Sequence, residues 1–282
     1  MWNLNKIPRI AHFYWGRNKN LSYLRYISIL SFKKFNPEWK ILLHSPKYPS
    51  ISEPTWDSKE QKGVQVPEDY YEKLINSGVT VVLHDFKDYG YNNNVHEIYK
   101  NDYLRWLVLY KLGGLWSDTD IIYIKPIEEL SDNISDNKDC DTFLCRYPTG
   151  ANAIGFLMSS GNNKFFGYIH EISKKVSDPN NYQAIGSFIL NRLLRVTEFN
   201  KEFYPGTNFL MLDYRSVYSI NCEHNAISYF YKPFFRVKSE EGVIGFHWYG
   251  GDPISQQFEF MLNEDNYKNF RNVISDLIGR VA

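Results

Sequence analysis

The chain has 282 residues, enough to bury one sizeable core. Lysine plus arginine equals aspartate plus glutamate at 32 each, so no basic excess points to a nucleic-acid partner. Three cysteines, Cys140, Cys145 and Cys222, are too few and too irregular for a disulfide framework or a zinc ribbon, and reduced thiols fit a cytoplasmic protein.

The N-terminal stretch Met1 to Gly16 lacks the apolar run of a signal peptide or anchor, and no later window reaches membrane-spanning length. The expected location is therefore the cytoplasm, with any contact at the inner membrane face coming from a surface patch or a partner. The 22 Tyr, 19 Phe and 7 Trp suit core packing, and they also suit stacking on sugars or bases.

Arg9 to Trp15 follows Pro8, is rich in β-formers and predicts a first strand. Leu21 to Phe35 carries apolar residues at near-helical spacing, and Asn36-Pro37 stops it. Trp39 to His44 predicts a second strand, Ser45 to Pro67 a loop, Asp69 to Ser77 a helix capped by Gly78, and Val79 to Leu83 a third strand. Strands alternating with helices predict a parallel sheet whose ligand sits at the carboxyl ends of the strands. Tyr14 and Trp15, at the end of the first strand, should then border the site.

His96 to Leu112 predicts a helix that is apolar nearly all round and therefore buried. Asp102 and Arg105 lie three apart on it. They form either a simple i,i+3 ion pair or, being buried, a pair that also grips ligand hydroxyls. Gly113-Gly114 stops this helix, Gly113 in the left-handed conformation, and a short strand Leu115-Trp116 delivers Asp118 and Asp120. In extended backbone, residues two apart face the same way, which makes these carboxylates a hard-oxygen site for Mg²⁺ or Mn²⁺.

Strands are expected at Asp141 to Arg146, Ala153 to Met158, Phe209 to Leu212 and Val243 to Trp248. Helices are expected at Phe165 to Val176, Ile185 to Val196 and about Asn266 to Ile278. No internal repeat or low-complexity tract interrupts the chain.

The ordered set Asn101, Asp102, Arg105, Gly113, Gly114, Trp116, Asp118 and Asp120 resembles the sugar-binding region of the DXD-type glycosyltransferases. The opening Ile7-Pro8-Arg9-Ile10-Ala11-His12 and the later Asn36-Pro37-Glu38-Trp39 fit the same pattern. The resemblance implies a GT-A type, Rossmann-like, mostly parallel α/β sheet flanked by helices. It implies a single domain over 1–282, with a donor half to about 126 and a less regular acceptor half from about 127. The implied activity is metal-dependent, retaining transfer of a hexose from a uridine or guanosine diphosphate sugar to a hydroxyl acceptor such as a glycan.

Roles follow from the resemblance alone. Trp15 stacks on the nucleobase, and Asp102 and Arg105 hold the donor sugar. Asp118 contacts ribose and sugar and reaches the metal, while Asp120 coordinates it. In Gly245 to Asp252, His247 is a third metal ligand and Trp248 a phosphate or lid contact. Asn152 lies near the donor sugar, and Trp116 stands where relatives carry Tyr, so it lacks the phenolic oxygen. Three other readings remain: transfer to DNA or protein, a non-catalytic nucleotide-sugar binder, and a nucleotidyltransferase. The last would usually show a glycine-rich phosphate loop near the first strand, where Gly16 stands alone.

Overall fold

The computed structural model describes residues 6–51, 64–133, 140–176, 181–197, 207–236 and 241–282. The first half alternates strand and helix: β1 (Ile10–Tyr14), α1 (Tyr23–Phe35), β2 (Lys40–Pro46), α2 (Tyr71–Asn76), β3 (Thr80–His84), α3 (Glu97–Lys111) and β4 (Gly114–Ser117). The second half holds β5 (Ile121–Tyr123), β6 (Thr142–Arg146), β7 (Asn152–Ser159), α4 (Lys164–Ser173), α5 (Ser187–Thr197) and β8 (Phe209–Asp213). It ends with α6 (Arg215–Tyr218), α7 (His224–Ser228), β9 (Gly245–His247), α8 (Pro253–Met261) and α9 (Val273–Gly279).

Seven strands form one sheet in the order β3-β2-β1-β4-β7-β6-β8. Only β7 runs against its neighbours β4 and β6; the other pairings in this sheet are parallel. The mostly parallel α/β sheet expected from the resemblance is therefore present. β5 and β9 pair antiparallel as a separate ribbon.

Alternation along the strands divides the core between two faces. Phe13, Leu115, Phe143 and Phe156 pack on the side of α1 and α9. Their sequence neighbours Tyr14, Trp116, Leu144 and Leu157 pack against α3, α4 and α5. Both faces are covered, which is why the strands read as nearly continuous apolar runs.

The corner between α3 and β4 aims the functional residues. Gly113 and Gly114 have φ of 69° and 96°, left-handed values that glycine adopts without penalty. Added Cβ atoms would lie 2.3 Å from the Gly161 amide nitrogen and 2.3 Å from the Ile10 carbonyl oxygen, respectively. Neither position has room for a side chain, so the two glycines let α3 turn tightly into the sheet.

Several expected elements change. The final helix is split into a 3₁₀ turn, Tyr267–Asn269, followed by α9. Arg271 at φ 50° breaks the helical path, and Asn272 caps the new start. The strand expected over Val243 to Trp248 shortens to β9, whose only partner among the described residues is β5. Helix α8 was not expected, although Asp252 caps it and Pro253 opens it. Much of the loop expected over 45–67 lies outside the described residues, and β2 extends into its start.

Candidate active site

A cavity of about 1540 Å³ opens where β1 and β4 end, lined by Tyr14, Trp15, Asp102, Arg105, Asp118, Asp120, Asn152 and His247. This is the carboxyl edge of parallel strands, where open α/β sheets bind ligands.

Arg105 holds the centre, buried on α3. Its Nη2 donates to Asp118 Oδ1 at 2.9 Å, and Nη1 lies 2.9 Å from Asp102 Oδ1. Nε and Nη1 nevertheless lack a hydrogen bond of good geometry, so the guanidinium retains donor capacity. Burial pushes the Asp102 carboxyl up to about 7; the Arg105 charge opposes this and Asp118 adds to it. Of the two readings of this pair, a surface ion pair is excluded by burial, and both residues line the cavity.

Asp118 and Asp120 converge, but not by strand alternation. β4 ends at Ser117, and the Asp118–Asp120 segment is a turn leading into β5. Backbone contacts set their aim: Asp118 N–H donates to the Gly155 carbonyl at 2.8 Å, and the Asp120 carbonyl accepts from Trp248 N–H at 2.9 Å. Trp116, with no phenol to offer, donates its indole N–H to Asp118 Oδ1 at 3.0 Å.

Asp120 Oδ1 lies 3.1 Å from His247 Nε2, and Oδ2 accepts from the Gly250 amide at 2.9 Å. Burial opposes ionisation of Asp120, but His247, Arg25 and the Gly250 amide outweigh it and hold the carboxyl well below the usual range. The β5–β9 ribbon brings His247 here by pairing it with Ile121. Asp118, Asp120 and His247 each offer one ligand atom, all within 4.8 Å of one another. Two carboxylates and an imidazole fit a divalent ion such as Mn²⁺ or Mg²⁺. The buried His247 Nδ1 has no hydrogen-bond partner, which leaves this ring unsatisfied without a further group.

Asn152, at the start of β7, is held by Asn191 of α5: its backbone and side-chain N–H groups donate to Asn191 Oδ1 at 2.7 and 3.0 Å. Its own Oδ1 is buried and unpartnered. The Tyr14 hydroxyl donates to Glu97, and the Trp15 indole donates to the Lys19 carbonyl at 3.1 Å.

Trp248 must be corrected. It is fully buried, donates its indole N–H to Ser28 Oγ at 3.0 Å and does not line the cavity. A ring sealed against α1 cannot touch a phosphate. It instead supports Arg25, whose guanidinium lies 5.2 Å from the ring centroid.

Arg25 itself escaped the sequence reading. It reaches from α1 into the cavity, donating to Thr119 Oγ1 at 2.8 Å and to Glu259 at 2.5 Å. A charged residue within the apolar pattern of a buried helix was the available signal. Gly155 and Gly186 were also missed. A Cβ on Gly155 would lie 2.6 Å from Asp118 Oδ2, and one on Gly186 2.3 Å from Asp102 Oδ2.

Among the described residues, no helix is long and apolar enough to cross a membrane. No curated protein matches the chain. Among solved structures the chain is similar to one named PaToxG glycosyltransferase, at 14% identity and TM-score 0.47, covering 96% of this chain and 86% of that one. It is similar to the glycosyltransferase GlyE of Streptococcus pneumoniae TIGR4 at 17% identity and TM-score 0.40, covering 72% of this chain and 45% of that one. It is also similar to an active-site mutant of LgtC at 16% identity and TM-score 0.39, covering 71% and 72%. Residues 28–140 match the family model described as glycosyltransferase sugar-binding region containing DXD motif. That stretch holds the α3 pair, the glycine corner and both aspartates.

Proposed function

We propose that the chain transfers a hexose from a uridine or guanosine diphosphate sugar to a hydroxyl of a glycan-like acceptor, with retention of configuration. The observation that carries this reading is the convergence of Asp118, Asp120 and His247 beside the Asp102–Arg105 pair in one cavity. A cavity of about 1540 Å³ exceeds the roughly 300–1,000 Å³ of a typical single-ligand site, which leaves room for donor and acceptor together.

Asp118, Asp120 and His247 would hold Mn²⁺ or Mg²⁺, which supplies charge neutralisation for the leaving diphosphate. Trp15, half-exposed at the cavity edge, offers an aromatic face to the nucleobase. Arg105 and Asp102 orient the sugar hydroxyls, and fixed orientation lowers the barrier to transfer. The unpartnered Asn152 Oδ1 is an acceptor for a sugar hydroxyl.

The carboxylates that line the cavity are engaged. Glu97 takes Tyr14 and Lys100, Asp102 takes Arg105, Glu259 takes Arg25, and Asp252 takes His224. No described carboxylate is left over as a nucleophile outside the proposed metal site. This favours attack by the acceptor on the leaving-group side, with the departing phosphate taking the proton.

The test is release of nucleoside diphosphate from a panel of uridine and guanosine diphosphate sugars with Mn²⁺ or Mg²⁺. Asp120→Asn should lower turnover by on the order of 100-fold, the scale set by losing charge stabilisation in a transition state. A folded wild-type protein that binds these donors but releases no diphosphate would be a non-catalytic binder, and the proposal would fail.

A further inference from the structure

Three histidines form a buried row across adjacent strands that the transfer reaction does not use. His12 lies on β1, His44 on β2 and His84 on β3. In register, His44 stands opposite Tyr14 and His84 opposite Pro46, so the row advances two residues per strand and stays on one face. The rings touch end to end. His12 Nδ1 is 2.8 Å from His44 Nε2, and His44 Nδ1 is 2.8 Å from His84 Nε2. At one end His84 Nδ1 meets the Tyr89 hydroxyl at 2.8 Å, and at the other His12 Nε2 meets the Gly113 carbonyl at 2.8 Å.

The ends fix the direction of every bond. A carbonyl only accepts, so His12 carries its proton on Nε2. Neutral His12 then accepts at Nδ1, so His44 donates from Nε2. The same step makes His84 donate from Nε2 and accept at Nδ1 from the Tyr89 O–H. Among the described residues, no carboxylate contacts these rings to favour a charged form. Burial agrees, holding all three imidazoles below their usual range and the Tyr89 phenol above its own.

The row terminates on the glycine corner. His12 Nε2 would lie 3.3 Å from a Cβ on Gly114, and β1 pairs with β4 through His12 and Trp116. Two residues further on, Trp116 is hydrogen-bonded to Asp118. We propose that His12, His44 and His84 are positioning residues. They form a one-directional relay of hydrogen bonds, started by Tyr89, that pins the corner from which Asp118 and Asp120 are aimed. Its catalytic consequence rests on the transferase reading above; its existence does not.

The experiment combines nitrogen-15 NMR with kinetics on the full chain. At pH 7 all three rings should show the neutral tautomer protonated on Nε2. Tyr89→Phe removes the starting donor at the end of the row farthest from the glycine corner. It should shift the histidine signals in turn and move the Trp116 indole N–H signal, which reports the contact to Asp118. Turnover should fall by about tenfold with KM for the donor little changed, less than the hundredfold that a 1 Å misplacement costs. His12→Gln, which retains an amide donor for Gly113, should keep more activity than His12→Leu. Any ring protonated on Nδ1 at pH 7, or a Tyr89→Phe protein with an unmoved Trp116 signal, overturns the relay. If Tyr89→Phe lowers only the melting temperature and leaves turnover intact, the positioning role is overturned. Wild-type inactivity with all donors sinks the transferase reading, and the two NMR readouts still decide the relay.

Discussion

Gly155 sets the space in which Asp118 can turn. Its carbonyl accepts from the Asp118 amide at 2.8 Å, and a Cβ there would sit 2.6 Å from Asp118 Oδ2 and 2.7 Å from the Tyr218 hydroxyl. The position lies within β7 and outside the left-handed region, so alanine meets no backbone penalty. The added methyl must therefore displace the carboxylate or the phenol. Because Asp118 belongs to the proposed metal site, Gly155→Ala should raise the Mn²⁺ concentration for half-maximal turnover by about 10- to 100-fold, the range seen when groups supporting a ligand are disturbed. Titrating Mn²⁺ against donor hydrolysis measures it; an unchanged half-saturation point would show that Asp118 does not need this gap.

At the scale of elements, legibility followed locality. Helix α3, the glycine corner and the two aspartates lie within one short stretch, where periodicity, left-handed glycines and carboxylate spacing act on neighbouring residues. The aspartates converge as expected, but what aims them was misjudged, because a turn held by Gly155 and Trp248 looks the same in sequence as a strand end. β9 and the β5–β9 ribbon were harder, since three-residue strands carry almost no pattern and their partners lie far apart in the chain. The C-terminal helix shows the same limit. Its apolar spacing runs through the break, and only the left-handed Arg271 and the Asn272–Ser275 capping box reveal the restart. That cap can be weighed. Asn272 Oδ1 accepts from Ser275 N–H at 2.9 Å, so Asn272→Ala should cost about 1 kcal/mol of stability. α9 does not line the cavity, so turnover should persist while the urea midpoint falls. Loss of turnover in a folded variant would tie α9 to the site.

For the whole molecule, a zero formal charge says nothing about stability against acid, because the groups that respond are buried. His12 and His84 are held at about 4 and His44 well below the usual 6.5, in each case mainly by burial. In the unfolded chain these rings regain ordinary affinity and take up protons as pH falls below 6.5, while the folded state does not. Their contribution to stability is thus full above pH 6.5 and is lost as pH drops toward 4. For His12 the shift is worth about 3 kcal/mol at the acid limit. Asp102 acts in the opposite sense: its carboxyl sits at about 7, above the unfolded value of 3.8, so its contribution is present in acid and lost as pH rises through 7. His170, which burial also holds at about 4, adds to the three imidazoles of the row; together they outweigh one carboxyl, and the net expectation is a loss of several kcal/mol between pH 7 and pH 4. Urea unfolding at stepped pH with a chelator present would measure that slope, and His12→Gln should flatten it by removing one of the responsive rings. An unfolding free energy that held steady or rose on acidification would mean that the histidine row is open to protons in the folded state.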